Sequence, residues 1–381
     1  MTADLRLEDT VAPLSGIKIV EFGSIGPGPF AGTMLADLGA TIVRLHRAGQ
    51  RSPVDIAGSG SDHRGRPGLP IDLKDPADLD FALCLFDGAD GLIEGFRPGV
   101  MERLGIGPAA VHARNAKLVY GRMTGYGQSG PLARVPGHDI NYAAISGVLS
   151  AIGRRGEPPL APINLLGDYG GGGMLLVTGM LAALLQAQRT GVGQVVDAAM
   201  VDGVAQLASV IFGFANAGSW GPRGTNILDS GAPFYDVYET ADGRYVAVGA
   251  IEPQFYAALL DGLALHPDDF PQWERDRWPD YRRAFAERFR TRSRDEWTAL
   301  LEHADACTTP VLDLTEAAHH PHNLARKSFV PTDFGMMPTP APRFDRADSA
   351  RTPSPEEALS AFGLTPEQVD QRLSRPARAR T

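Results

Sequence analysis

Residues 17–45 alternate strand, turn, helix and strand, and that order limits the fold more than any other stretch of the chain. Ile17-Lys18-Ile19-Val20-Glu21-Phe22 is short with a β-branched bias, which predicts a strand. Gly23-Ser24-Ile25-Gly26-Pro27-Gly28-Pro29 reads as a turn, Phe30 to Leu38 as a helix closed by Gly39, and Ala40-Thr41-Ile42-Val43-Arg44-Leu45 as a second strand. Strand, helix and strand in succession predict an α/β unit with a parallel sheet. The turn matches the dinucleotide fingerprint only loosely. Pro27 and Pro29 interrupt the Gly-x-Gly-x-x-Gly spacing and no acidic residue closes the next strand, which argues against nicotinamide binding.

Further on, Gly91-Leu92-Ile93-Glu94 and Leu118-Val119-Tyr120 are candidate strands, with a compact helix and turn from Gly99 to Gly107 between them. Met174 to Ala187 is the strongest apolar helix, and its nearly uninterrupted apolar character predicts burial on several sides. A strand at Gln194 to Asp197 precedes a second such helix, Val201 to Ala217. The turn-rich stretch Trp220 to Gly231 ends the first body. Phe234 to Glu239 and Arg244 to Gly249 then flank an Asp242-Gly243 turn, a hairpin signal. Glu252 to His303 is mostly helical and Thr309 to Leu312 returns to strand, so about 230 to 330 reads as a smaller α+β domain. Ser354-Pro355-Glu356-Glu357 and Thr365-Pro366-Glu367-Gln368 each offer a capping hydroxyl, Pro at N1 and an acid or amide at N3, which predicts two terminal helices before the basic tail Arg375 to Thr381.

Composition excludes several classes of function. With 36 Lys+Arg against 45 Asp+Glu and no long basic block, the chain does not read as a general nucleic-acid binder. The 2 cysteines, Cys84 and Cys307, are too few for a disulfide scaffold or a cysteine metal cluster. His319-His320 and His322 flank Pro321, which breaks helical metal-ligand spacing, so they read as surface loop and no metal is expected. No Gly-x-Ser-x-Gly elbow supports serine hydrolysis. The start of the chain has no apolar signal core and no unbroken apolar run long enough to span a bilayer follows, so the chain reads as soluble and cytoplasmic.

Acid–base chemistry is expected between 121 and 173. Gly121 to Pro131 is too glycine-rich for a regular element; it leads to Pro136-Gly137-His138-Asp139-Ile140-Asn141-Tyr142, and then to Asn164-Leu165-Leu166-Gly167-Asp168-Tyr169 with Gly170 to Gly173. Asp168 falls near the N-terminus of the Met174 helix, where the dipole favours a carboxylate. Bland roles remain open on spacing alone: a structural hydrogen bond for the His–Asp pair, a helix cap for Asp168, and relief of helix–sheet crowding rather than ligand approach for Gly170 to Gly173.

These segments also carry a family resemblance. Pro13 to Glu21, Gly26 to Pro29, Asp37 to Ala40, Ile71 to Lys74, Glu94 to Gly99, Gly125 to Pro131, Gly137 to Tyr142, Gly167 to Gly172, Gly193 to Met200 and Gly231 to Tyr235 resemble, in order, the α-methylacyl-CoA racemase branch of the class III (CaiB/BaiF, formyl-CoA-transferase-like) CoA-transferase superfamily, over about 13 to 345. The resemblance implies a large Rossmann-like α/β CoA-binding domain (1–225), a small α+β domain (226–330) and a C-terminal return to the large domain (331–381). It also implies an interlocked homodimer whose active site lies between one subunit's large domain and the other's small domain, a role in lipid metabolism, an acyl-CoA thioester as substrate, and no separate cofactor.

By the same resemblance, His138 and Asp168 are the catalytic pair, Asn164 and Glu252 support the site, and Arg44, Arg64, Arg97 and Arg103 are the candidate CoA contacts. Arginine suits phosphate because its guanidinium bonds bidentately. The implied reaction interconverts (2R) and (2S) 2-methylacyl-CoA. One base removes the C2 proton, an enolate forms with its oxygen toward amides near Asp168, and the other group reprotonates the opposite face. Glu252 is expected to orient His138. The alternatives are a CoA-transferase with Asp168 as nucleophile, and a non-catalytic acyl-CoA-binding protein. One segment departs from the family pattern: His63-Arg64-Gly65-Arg66-Pro67-Gly68-Leu69-Pro70 has no lysine, leaving Arg64 and Arg66 as the cations there.

Overall fold

In the computed structural model, which describes residues 12–47, 64–333, 335–345 and 351–375, six strands form one parallel sheet. They are β1 (Lys18–Phe22), β2 (Thr41–His46), β3 (Gly68–Pro70), β4 (Gly91–Glu94), β5 (Val119–Thr124) and β6 (Val195–Ala199), laid side by side as β3-β2-β1-β4-β5-β6. Every adjacent pair is parallel, with Ile19 opposite Ile42 on one side of β1 and opposite Gly91 on the other. This is the doubly wound order, in which the chain reverses its direction of growth between β1 and β4. The strands are mostly apolar because both faces are covered, though Glu21, Glu94 and Arg122 are buried among them. Val20, Phe22, Val43 and Leu45 point into one core, while Ile19, Ile42 and Val119 point into another.

The helices of this unit are α1 (Pro27–Asp37), α2 (Pro76–Gly88), α3 (Val100–Arg103), α4 (Pro108–Arg114), α5 (Asp139–Ile145), α6 (Leu175–Thr190) and α7 (Met200–Leu207). α1 and α6 cover one face of the sheet. α2 covers the other, together with the terminal helices Pro355–Ala361 and Pro366–Leu373. Ala358, Leu359, Phe362 and Val369 enter the same core as Phe22, and Arg372 bonds Asp78 at 2.7 Å. Both terminal helices carry the capping boxes legible in the sequence.

Among the described residues, this first unit takes in the chain up to Ser146, Ile163–Leu207 and the stretch from Phe329 on; the second holds Gly147–Pro162 and Ala208–Ser328. In the second unit, α8 (Ser209–Asn216) precedes β7 (Tyr235–Glu239), β8 (Tyr245–Gly249), α9 (Pro253–Gly262), α10 (Trp278–Phe289), α11 (Arg294–Leu301) and β9 (Thr308–Pro310). The strands form an antiparallel sheet, β7-β8-β9, over an aromatic core that includes Phe234, Tyr281, Phe285, Phe289 and Trp297. Gly243 turns the β7–β8 hairpin at φ +71°.

Several local expectations change. α1 begins at Pro27 rather than Phe30, because prolines in a first turn lose no helical hydrogen bond and arrive with φ already set. Gly121 to Thr124 is not irregular but lies in β5; a Cβ on Gly121 would stand 2.7 Å from Met180 Sδ, so the missing side chain lets α6 lie close on the sheet. The helix expected from Val201 to Ala217 is two, broken at Ala208, and the division between the units falls there. The apolar pattern runs straight through this break, and Leu207-Ala208-Ser209 holds no Gly or Pro to mark it.

Leu165–Met174 forms a π-type helical run that continues into α6. Together they make 26 residues with a mean hydropathy of 1.5 in the most apolar window, enough by length and composition to cross a bilayer, yet half of that window is buried inside the protein. The loop from 48 to 60, His63 and the tail beyond Arg375 lie outside the described residues.

Candidate active site

The carboxyl ends of β1, β4 and β5 open onto a cavity of about 530 Å³ formed by residues of the first unit. Gly23 and Ser24 come from the end of β1, Phe96 and Arg97 from that of β4, and Thr124 to Tyr126 from that of β5. Open parallel sheets bind ligands in the crevice where strand order reverses, which is the position between β1 and β4. His138 and Asp168 both line this cavity.

His138 is the N-cap of α5, where Asn141 Oδ1 accepts from its backbone N–H at 3.0 Å. Tyr142, one turn later, donates its hydroxyl to Gly137 O and packs edge-on against Tyr126 with ring centroids 4.9 Å apart. A side chain at Gly125 or at Gly137 would run into the Tyr142 ring, so both glycines clear its seat. Burial pushes the Tyr142 hydroxyl up to about 12.

Asp168 sits in the first turn of the π-type run, a rare helix form that is frequent at functional sites. Asn164 Nδ2 donates to its Oδ2 at 3.2 Å. Burial holds the Asp168 carboxyl above the usual carboxylate range and the like charge of Asp139 adds to this, while the Asn164 hydrogen bond and His138 pull the other way. The glycines after Asp168 serve close packing within the protein. A Cβ on Gly203 of α7 would collide with the Gly171 carbonyl, and one on Gly172 would stand 3.0 Å from Pro27 Cβ.

Asp139, next to His138 in the same motif, has a role that the sequence does not announce. The residue is 4% exposed, with Oδ2 accepting from the N–H groups of Gly167 and Asp168, the latter at 2.8 Å. These amides lie in the region to which the sequence assigns the thioester oxygen, and here a carboxylate of the chain itself accepts from them.

Residues 14–358 match CoA-transferase family III. The chain belongs to that family. It is 44% identical to the α-methylacyl-CoA racemase of Homo sapiens over 94% of this chain and 95% of the relative. It is likewise 44% identical to the α-methylacyl-CoA racemase of Mus musculus, over 94% and 95% respectively. The crystal structure of the hypothetical protein Rv3272 from Mycobacterium tuberculosis superposes with a TM-score of 0.76 at 25% identity, covering 91% of this chain and 96% of that one.

Within this family III chain, the other expected site residues are spread out. Arg97 lines the cavity. Arg44 stands on β2, paired in register with Glu21, and Arg103 is exposed at the end of α3. Arg64 is held by Asp37, through Nε at 3.1 Å and Nη2 at 2.5 Å. Arg66 is fully buried, ion-paired with Glu21 and 2.8 Å from Thr33 Oγ1, so this arginine braces β1 against α1 rather than facing a phosphate. Glu252 belongs to the second unit, as the N-cap of α9. Among the described residues, no group of three or more His, Cys, Asp and Glu is placed to hold a metal.

A brace beside the cavity went unread in the sequence. Glu94 is fully buried at the end of β4, accepting from Phe96 N–H at 2.7 Å and from Arg122 Nε at 2.9 Å, and Arg122 also reaches Glu102 at 2.8 Å. Burial raises the Glu94 pKa, partly countered by these bonds. The brace fixes the turn that presents Arg97. An acid ending an apolar strand, with an arginine on the next strand, was the available signal.

Proposed function

We propose that this chain interconverts the (2R) and (2S) forms of 2-methyl-branched acyl-CoA thioesters. The observation that carries the reading is that His138 and Asp168 line one cavity at the carboxyl ends of the sheet, with Asp168 biased toward its protonated form. The activity named for the human and mouse relatives supports it.

For one stereoisomer, neutral His138 takes the C2 proton, the C2–H electrons move into a planar enolate, and protonated Asp168 delivers a proton to the opposite face. For the other stereoisomer, ionised Asp168 takes the proton and imidazolium His138 returns one. A carboxyl pKa above the ordinary range serves both directions, because an acid or base works best when its pKa approaches the working pH. The reaction transfers no electrons to an acceptor, so the proposal includes no cofactor.

The proposal assigns CoA binding to the first unit, with Arg97 as a phosphate contact. It also takes two copies of the chain to interlock, Glu252 supporting His138 in that assembly, in a cytoplasmic setting. Helix α8, which has no buried residue, supports a partner surface: Val210, Phe212 and Phe214 are 63%, 44% and 41% exposed.

The family name keeps a second reading in view, CoA transfer through an aspartyl thioester at Asp168. His138 in the cavity favours racemisation, because a carboxylate nucleophile needs no imidazole facing it. One experiment separates the readings. A single stereoisomer of a 2-methylacyl-CoA is incubated in deuterated water, with and without a free carboxylic acid, and C2 deuterium, stereoisomer ratio and CoA position are followed. Deuterium entry with conversion to a mixture, lost in His138→Ala and Asp168→Ala, is expected. CoA moving to the added acid without C2 exchange would overturn the racemase reading.

A further inference from the structure

The two groups assigned to proton transfer stand on separate segments, and one side chain joins those segments. We propose that Asp139 is a positioning residue for the acid–base pair, a buried carboxylate that ties the start of α5, where His138 sits, to the start of the π-type run, where Asp168 sits. Oδ2 accepts from the backbone of both Gly167 and Asp168, while Oδ1 is buried without a hydrogen-bond partner. The fit requires glycine at 167, since a Cβ there would stand 2.8 Å from Oδ2 and 3.0 Å from the Asp139 Cα. The amides at the start of a helical run attract negative charge, and here the chain supplies the anion itself.

The tie has an electrostatic consequence that a purely mechanical strut would lack. The groups set against the Asp168 carboxyl are His138, Asp139 and Tyr142 from the α5 segment, Asn164 from its own segment, and the uncharged Gly26 from the turn before α1. Among these, Asp139 is the fixed like charge, so it favours the form of Asp168 that carries a proton. Asp139 thus positions Asp168 and keeps it able to act as an acid.

This inference rests on the racemase reading for its kinetic arm and is independent of it in its titration arm. Asp139→Asn keeps an oxygen that can accept from both amides and removes the charge; Asp139→Ala removes the tie. With aspartate carboxyls labelled with carbon-13 and the Asp168 signal assigned by its loss in Asp168→Asn, the unliganded Asp139→Asn protein is expected to titrate Asp168 at lower pH than wild type. The acid limb of C2 exchange, measured with the stereoisomer that Asp168 deprotonates, is expected to move the same way with KM unchanged. Asp139→Ala is expected to lower kcat about 100-fold, the scale of loss when a reacting group is misplaced by about 1 Å. An unmoved Asp168 titration in Asp139→Asn would overturn the proposal even if Asp139→Ala fails to fold, as would wild-type kcat in a folded Asp139→Ala. If wild-type protein shows no C2 exchange, the racemase reading fails while the titration still decides the role of Asp139.

Discussion

The side-chain amide of Asn164 donates to Asp168 Oδ2 at 3.2 Å, from the residue that leads into the π-type run. That bond favours the ionised carboxyl and so opposes the burial that raises its pKa. Asn164→Ala therefore raises the Asp168 pKa further. In the direction where Asp168 must be ionised to act as base, the acid limb of kcat moves to higher pH, the reverse of the shift expected for Asp139→Asn. A pH–rate profile for each stereoisomer checks the sign, and an acid limb that stays or falls would remove Asn164 from this role.

Asp168 also bears on stability. Its folded pKa lies above its ordinary value, so it contributes stability that is full below the unfolded pKa and is lost as pH rises through the folded one. Asp168→Asn abolishes exchange and is expected to be more stable than wild type at neutral pH, with the advantage shrinking as pH falls through the raised folded pKa and gone below the unfolded value of about 4. Urea unfolding of both proteins across that window measures it. A variant less stable than wild type at neutral pH would mean that the carboxylate is chiefly structural.

The parallel sheet was legible because both-face burial imposes a simple rule: most interior strand positions are apolar, with Glu21, Glu94 and Arg122 the buried exceptions. The turn at 23–29 and the His138 and Asp168 segments were legible as interruptions of that rule. The π-type run was not, because a row of glycines looks like a loop until the backbones it must pass are known. Gly171 meets Gly203 across 32 positions of sequence. Asp139 and Arg122 were missed for a related reason. Their partners are two backbone amides and two carboxylates brought close by strand and helix placement, and for Arg122 the signal lies across two strands rather than in one local pattern.

The Gly171–Gly203 crossing makes its own prediction. A single methyl on Gly203 collides with backbone rather than with a side chain able to swing away. Gly203→Ala should cost about 1–3 kcal/mol, the usual penalty for overpacking. Because the displaced element carries Asp168, kcat should fall while the core of the second unit, reported by its tryptophans, stays native. Chemical denaturation paired with exchange kinetics tests this. Wild-type kcat in Gly203→Ala would show that the run is not held in place by the crossing.

Arg122 and Glu94 form the buried ion pair beside the cavity, with side chains 7% and 0% exposed. Removing the arginine strands a carboxylate away from water, and breaking such a pair typically costs about 3–5 kcal/mol. Arg122→Leu should therefore destabilise strongly at neutral pH. Glu94 already has a raised pKa because of burial, and loss of Arg122, whose charge and hydrogen bond lower it, raises it further. The penalty must then vanish as pH falls below the unfolded value of about 4.3, where the carboxyl is neutral in both states. Urea midpoints of Arg122→Leu should approach wild type near pH 4 and diverge toward pH 7. Arg122→Leu/Glu94→Gln, which leaves no stranded charge, should recover much of the loss at neutral pH. A gap independent of pH would instead point to lost packing around the guanidinium stem. Since a glutamine oxygen at 94 can still accept from the Phe96 N–H, the double variant should keep the turn at Arg97 and a KM near wild type once its stability returns.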